Sequence, residues 1–530
     1  MMKRSPNSDA AFTLIAAVVS AALLALAMPG KIGWWPLLFV ALAPLLRAVL
    51  YARPGRGALA GFVFGLLHHL ALLYWIMIVL GRYGGLPVWI ALPALFLLAA
   101  YMACFSAVFC FLLSFLAGRF RQRDWSIAPL VWCAPVLWVG LDFLKSVLFS
   151  GFPWMDLGYG LFSQPLLIQA ADIGGHHLLT FSLVLCNGLV VAIIDRHRRN
   201  AHCNVRRERG LLLAAAAFLV CVVGYSLVRH QAVGSIVARS AQARVAVVQG
   251  NIDQGIKWSP AARTATVETY LKLSRQAMGK AAAELVVWPE TALPFYPQQD
   301  ALIRRVNEFT ATGNTWLLTG APLYSLAPRA DGGQQVRYYN GAVLIGPDGR
   351  IGGQHAKQHL VPFGEYVPLR RFLPFLEPLV VSVGDFSEGV EKGPLALGPM
   401  RLGVLICYES IFPDIAHESV VRGANLLVNI TNDAWYGRSS APHQSMAMAV
   451  LRAVENKRSL IRAANTGISG FVDPLGRIVA QSEIFTEAAL VSQTPMLELT
   501  TAFNLGGHRF GAACAFCIPL LVLFRSRREA

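Results

Sequence analysis

The chain has 530 residues, 55% of them hydrophobic and only 14% charged, with a mean hydropathy of +0.50. Soluble domains carry about 25% charged residues, so a single soluble core is excluded: the apolar residues crowd before position 230 and again near the C-terminus, leaving 243–500 with ordinary globular composition. The formal charge of +16 does not point to nucleic acid, because residues 229–509 hold 26 Lys plus Arg against 22 Asp plus Glu, a net of +4, and most of the remaining excess flanks apolar runs.

Eight apolar runs are predicted as membrane helices. The first, 11–29, follows Lys3 and Arg4 and is read as a retained helix rather than a signal peptide, since further runs follow at once. The others are about 32–49, 59–80, 87–117, 126–146, 164–194, 210–228 and 508–524, each near the roughly 20 residues that span a bilayer. The predicted organisation is a seven-helix part over 1–230, a globular part over 243–500 and an eighth helix over 507–525. Both termini then share one side. The basic residues agree: 17 Lys and Arg, from Lys3 to Arg528, fall in short stretches of that side, and only Lys31, Arg82 and Lys145 in the opposite ones. The termini are therefore expected in the cytoplasm and the globular part outside the membrane, in the periplasm of a double-membrane bacterium. The loop SGFPWMDLGYG at 150–160 reads either as an interfacial turn or as part of a lipid access route. Asp142 is either a buried functional charge or a group reaching the interface beside Lys145. His68 with His69, and His176 with His177, lack a third ligand at a useful spacing, and no metal is expected.

Strand and helix alternate through the globular part. RVAVVQ at 244–249 is a strand that turns at Gly250 and Asn251; IKWSP at 256–260 carries Trp258 into a loop before a helix over 261–279. ELVVWPE at 284–290 is a strand closed by Pro289, 299–311 is helical, and NTWLLTGAPLY at 314–324 is a strand. Residues 325–337 read as a surface loop, and YNGAVLIGPDGRI at 339–351 as a hairpin turned at Pro-Asp-Gly. The segment that starts at His355 has little regular periodicity until residue 369, and 360–390 is a candidate lid. RLGVLIC at 401–407 is a buried strand, followed by a helix near 412–422, a strand within 424–437, a helix over 443–458 and a strand with hairpin over 459–479. The pattern predicts a layered α/β fold with helices outside the sheets.

Cys407 is the one cysteine of the globular part; the other eight lie in or beside apolar runs, where cysteine behaves as a small hydrophobe. It has no disulfide partner in its own domain and stands at the end of an apolar strand, where α/β sheets carry their chemistry. Glu290 ends a similar stretch, and Lys357 and Glu365 share another. A thiol nucleophile, a carboxylate that takes and returns its proton, and an ammonium at the oxyanion are what acyl transfer through a thioester requires. Each residue also has a plain reading: Cys407 as packing, Glu290 as a helix N-cap, Lys357 as a surface lysine beside His355 and His359. Spacing alone leaves a different triad open. A membrane-tethered amidase acting on a soluble substrate would use the same groups but needs one helix, not eight. A transporter or binding scaffold predicts more charge inside the helices than Asp142.

The motifs narrow the choice. WPE at 288–290, Lys357 leading to GE at 364–365, and CYE at 407–409 resemble the nitrilase superfamily, which implies an αββα sandwich with Glu290, Lys357 and Cys407 as catalytic triad. GFPW at 151–154, QGNI at 249–252, KW at 257–258, HLVPFGEYVP at 359–368, CYES at 407–410, TNDAW at 431–435, HQ at 443–444 and NTGISG at 465–470 together resemble its membrane-embedded branch, the apolipoprotein N-acyltransferases, over nearly the whole chain. Gln358 departs from the asparagine expected after the lysine. The resemblance implies a bacterial inner-membrane enzyme without cofactor. It would move an acyl chain, preferentially the sn-1 chain of phosphatidylethanolamine, to Cys407 and then to the α-amino group of the diacylglyceryl-modified N-terminal cysteine of an apolipoprotein. It further implies that Glu365 supports Lys357, that Tyr408 and Glu409 flank the nucleophile, that Trp258, Tyr366 and Trp435 are lid or lipid contacts, and that Asn432 and Asp433 are structural groups at the sheet's active end. Both substrates are lipids. At roughly 0.8 kcal/mol per CH₂, drawing a whole acyl chain into water is prohibitive, so the thiol must work near headgroup level.

Overall fold

The computed structural model describes residues 6–122, 128–195, 205–280, 282–328, 333–366, 386–391 and 393–523. The chain forms two compact units. One comprises Met1–Ile76, Trp89–His230 and Leu505–Ala530, the other Met77–Val88 and Gln231–Asn504. Met77–Val88 thus belongs with the globular unit, where Tyr83 meets Trp435 edge to face at 5.4 Å between ring centroids.

Among the described residues six helices, all or most of each in the first unit, are long and apolar enough to cross a membrane: Ala10–Ala27, Pro54–Leu73, Val88–Gln122, Leu130–Ser150, Ala171–Ile194 and Glu208–Val237. Two of the eight expected runs are shorter, Trp35–Tyr51 and Gly507–Leu523, with no more than 17 residues each. At 1.5 Å per residue that is about 26 Å, short of the roughly 30 Å hydrocarbon core. The first of these is also broken, 3₁₀ over Trp35–Phe39 and α over Ala43–Tyr51, because Pro36 and Pro44 each open a helical turn and cannot continue one. The outer surface is apolar, with Trp89, Leu97, Leu213 and Val220 each at least two-thirds exposed, as a lipid-facing surface requires.

One cluster of buried charges in this unit is paired internally. Lys145 Nζ lies 2.8 Å from Asp142 and 2.6 Å from Asp156, and His176 Nε2 is 3.1 Å from the other oxygen of Asp156. Asp142 is therefore a buried, paired charge. Asp156 also supplies the third group that spacing did not reveal beside His176 and His177: their ligand atoms lie within 4.8 Å of one another. Because Lys145 and His176 already engage both of its oxygens, the cluster reads as a hydrogen-bonded network that keeps charge satisfied among apolar helices.

The globular unit is built on two six-stranded sheets. In chain order the strands are β1 (Gln242–Gln249), β2 (Leu285–Val287), β3 (Trp316–Pro328), β4 (Gln334–Ile345), β5 (Ile351–Ala356), β6 (Leu395–Leu397), β7 (Met400–Ile406), β8 (Leu426–Thr431), β9 (Ser459–Ala464), β10 (Gly470–Val472), β11 (Ile478–Gln481) and β12 (Ala488–Pro495). One sheet has the order β12-β1-β2-β3-β4-β5, the other β11-β10-β9-β8-β7-β6. Strands β1 to β3 run parallel, as do β7 to β9. Helices Pro260–Lys280, Ile303–Gly313, Pro413–Val421 and Ala441–Asn456 make the crossovers. Val245 and Val247 meet Val404, Ile406, Val428 and Ile461 of the facing sheet, while Ala246 and Val248 pack with Val267, Tyr270 and Leu271 of a covering helix. Both faces of a central strand are buried, so these strands read as unbroken apolar runs, and the layers are αββα as expected. At roughly 1.5–3 kcal/mol per buried large aliphatic side chain, the two-sided burial is the main stabilising contribution.

Residues 325–337 are not simply a loop. Strand β3 continues to Pro328 and β4 begins at Gln334, paired in register to those ends. Leu326, Val336 and Tyr338 are exposed there, so no apolar alternation marks the arm; ladder bonds between adjoining antiparallel segments carry it. Strands β6 and β12 were not apparent from periodicity. Most of the candidate lid, 367–385, lies outside the described residues.

Candidate active site

Strand β2 ends at Val287, and Trp288 anchors the corner after it. It is fully buried, its indole N–H donates to Ser274 Oγ at 2.8 Å, and its ring lies 5.2 Å from that of Tyr270. Pro289 cannot extend the ladder, and the chain turns through Glu290 and Thr291, whose φ is 48°. Gly320 on β3 makes room: a Cβ there would lie 2.3 Å from Thr291 N and 2.6 Å from Glu290 Cα. Glu290 is buried with both oxygens engaged, Oε1 by Asn340 Nδ2 at 2.7 Å and Oε2 by the backbone N–H of Asn432 at 2.9 Å. It caps no helix, for the next begins at Ile303.

Lys357 follows β5 directly, and its N–H donates to the Asn340 carbonyl at 2.8 Å. The side chain is 1% exposed, with Nζ 3.0 Å from Glu365 Oε1 and 2.8 Å from Oε2. The tight turn Val361–Tyr366, with Phe363 at φ 61°, returns Glu365 to the lysine, and Val361 N–H donates to Glu365 Oε2 at 2.8 Å. Burial pulls Lys357 toward neutrality, but the charges of Glu365, Cys407 and Glu290 outweigh it and hold its pKa above the ordinary lysine value. This is a buried ammonium, and the surface-lysine reading falls.

Cys407 follows β7 directly, at φ 55°, a left-handed conformation that costs a residue with a Cβ on the order of 1 kcal/mol or more. Glu409 holds that turn. Fully buried, it accepts from the N–H groups of Ile406 at 2.7 Å, Gln358 at 2.6 Å and His359 at 3.1 Å, so the Cys407 corner and the segment after Lys357 are tied together. Burial pushes its carboxyl up, to about 7, against the pull of these N–H bonds and of Lys357. Burial first, then the charge of Glu290, pushes the Cys407 thiol up to about 12, although Lys357 and a hydrogen bond with Thr431 pull the other way. At neutral pH Cys407 rests as a thiol and needs a base when it reacts.

The end of β8 completes the arrangement. Thr431 Oγ1 donates to Asp433 Oδ1 at 2.8 Å, and Asp433 Oδ2 accepts from the fully buried Arg462 at 2.9 Å. Asn432 donates its backbone N–H to Glu290 and its side-chain Nδ2 to Gln254 at 2.6 Å. Asn432 and Asp433 therefore hold the strand end, and Asn432 also touches the carboxylate. Tyr408 is buried, with its ring 5.1 Å from Phe412 and 5.9 Å from His359. Trp258 is exposed, and Tyr366 and Trp435 are partly buried. Three residues were not singled out by sequence. Asn340 donates to Glu290 and, at 2.8 Å, to Glu365, and so joins the two carboxylates. Thr431 stands beside the thiol and pulls its pKa down. Lys257, fully buried, donates to Thr291 Oγ1 at 2.7 Å. The one signal for Asn340 was an amide where exposed strand turns apolar; Lys257 appeared only as half of the KW motif.

A family model for carbon–nitrogen hydrolases matches residues 244–501, and one for the apolipoprotein N-acyltransferase N-terminal domain matches residues 20–189. An apolipoprotein N-acyltransferase of Geobacter metallireducens is 38% identical over 99% of this chain and 98% of its own. One of Methylococcus capsulatus is 34% identical over 92% of this chain and 91% of its own. Among solved structures, Saccharomyces cerevisiae Nit3, a member of branch 10 of the nitrilase superfamily, aligns with a TM-score of 0.37 at 20% identity, covering 55% of this chain and 97% of its own.

Proposed function

The chain belongs to the apolipoprotein N-acyltransferases, and from that premise we propose that it acylates lipoproteins through a thioester on Cys407, with Glu290 as base and Lys357 as electrophile. The observation that carries this reading is the convergence of the three at strand and hairpin ends: a buried ammonium, a resting thiol and a carboxylate, close enough for their charges to act on one another.

In the first half-reaction Glu290 takes the Cys407 proton as sulfur attacks an ester carbonyl of a phospholipid, phosphatidylethanolamine in the first instance. Lys357 and the backbone N–H of Tyr408 stabilise the oxyanion. Collapse breaks the ester C–O bond, Glu290 returns the proton to the departing oxygen, and a lysophospholipid leaves. In the second half the α-amino group of a diacylglyceryl-modified cysteine attacks the thioester. Glu290 accepts a proton from the nitrogen, the C–S bond breaks, and the thiol is restored with the proton Glu290 holds. Glu365 keeps Lys357 charged and in place; Asn340 fixes both carboxylates. Trp258, Tyr366 and Trp435 are proposed lipid contacts. Water must be kept from the thioester, or the enzyme hydrolyses phospholipid. The basic residues support cytoplasmic termini and a periplasmic globular domain.

The test is N-acylation of a diacylglyceryl peptide by the purified protein, with phosphatidylethanolamine as donor and product mass as readout. Wild type is expected to add one acyl chain; C407S, E290Q and K357M, each folded, are expected to add none. Release of ammonia from simple amides with no acylated peptide would point instead to a membrane-anchored hydrolase.

A further inference from the structure

The reaction as proposed leaves one buried charge beside Glu290 without a task. Lys257 lies in the turn between β1 and helix Pro260–Lys280, 0% exposed. Its backbone N–H donates to the Asp253 carbonyl at 3.2 Å. Its ammonium donates to Thr291 Oγ1 at 2.7 Å and to the backbone carbonyl of Glu290 at 3.3 Å. Among the described residues it forms no ion pair; burial lowers its pKa to about 8, and the charge of Glu290 opposes that. Taking an ammonium out of water without a carboxylate in contact costs several kcal/mol. A methionine of similar length would fill the space at no such cost, so stability does not explain a lysine here.

Its two acceptors explain it. They belong to consecutive residues, Glu290 and Thr291, at the corner where Thr291 is left-handed. From β3 that corner meets the bare backbone of Gly320, where a Cβ would come within 2.6 Å of Glu290 Cα. Gly320 offers contact but no side chain to grip it. Lys257 grips the peptide from its own side, while Asn340 and the N–H of Asn432 orient the carboxylate beyond it.

We propose that Lys257 is a positioning residue for acyl transfer, which pins the Glu290–Thr291 corner so that the carboxylate stays aimed at the thiol of Cys407. This rests on Glu290 being the base. It acts on proton transfer rather than on lipid binding, so its signature is a lower rate of thioester formation at saturating phospholipid with an unchanged KM. A misplacement of about 1 Å in a reacting group can lower a rate on the order of a hundredfold.

The experiment is single-turnover formation of acyl-enzyme by full-length protein with phosphatidylethanolamine in detergent. It compares wild type with K257M, K257Q, T291V and K257M/T291V, with E290Q as reference. K257M is expected to react at least tenfold more slowly with KM within twofold. K257Q, which keeps N–H donors, should recover part of the rate. T291V should lose several-fold, and the double variant should be no slower than K257M, because both changes break one contact. K257M or T291V reacting at the wild-type rate, or losing rate through KM alone, would overturn the proposal. Should K257M fail to fold, T291V and K257Q decide. If E290Q forms thioester normally, the base assignment has failed; if E290Q is inert and K257M normal, only the role of Lys257 has failed.

Discussion

A thiol pushed up to about 12 is almost wholly protonated at neutral pH, so acyl transfer through Cys407 requires a base, the part proposed above for Glu290. Alkylation of Cys407 by iodoacetamide, read at that residue by peptide mass so that exposed Cys104 and Cys221 do not interfere, should rise about tenfold per pH unit through pH 10. A free cysteine levels off above roughly 8.5, and levelling near pH 9 would contradict this environment. Lys257 gives a second pH prediction. Its folded value is about 8 against 10.5 ordinarily. The unfolded chain therefore binds more protons between these values, and this group's contribution to stability rises with pH from 8 to 10.5 and is lost as pH falls to 8. The full swing is roughly 3–4 kcal/mol at most. Thermal unfolding of K257M and wild type should show K257M gaining relative stability as pH falls from 10 to 8, with no further change below; a constant difference would be the contrary result. Cys407 and Glu290 were legible in the sequence because each ends an apolar strand. Asn340, Thr431 and Lys257 were not, because their importance lies in contacts across 24 to 50 residues between strands and turns, which no local pattern encodes.

The strands that carry the site are held by backbone approach as much as by side chains. Gly320 is where β3 meets the Glu290 corner, and the nearest atoms to an added Cβ are main chain. Gly320→Ala must push β2 and β3 apart. It should lower acyl-enzyme formation at least a hundredfold and destabilise the fold by about 1–3 kcal/mol; activity within twofold of wild type would show that the corner can yield. The β3–β4 arm is the opposite case. Its far end is exposed, so replacing 326–336 by a short turn should leave the melting temperature within a few degrees, and a large loss would mean that the arm contributes to the core. Central strands were legible because both faces are apolar. The arm was not, for the same reason inverted: ladder bonds leave no trace in composition. The run 32–49 reads as one helix but forms two short pieces, because hydropathy does not register how Pro36 and Pro44 restart a turn.

For the molecule as a whole, two lipid substrates explain why an αββα enzyme is joined to so many apolar helices. Basic residues on one side predict that a reporter fused after Ala530 reads as cytoplasmic and one inserted in the 326–336 arm as periplasmic; the reverse, or opposite sides for the two termini, would overturn the topology. The thioester on Cys407 is tested by intact mass of the purified protein after incubation with phosphatidylethanolamine, with and without hydroxylamine. One added fatty acyl chain, removed by hydroxylamine and absent in C407S, is the predicted result. No adduct on well-folded protein that still acylates peptide would contradict it.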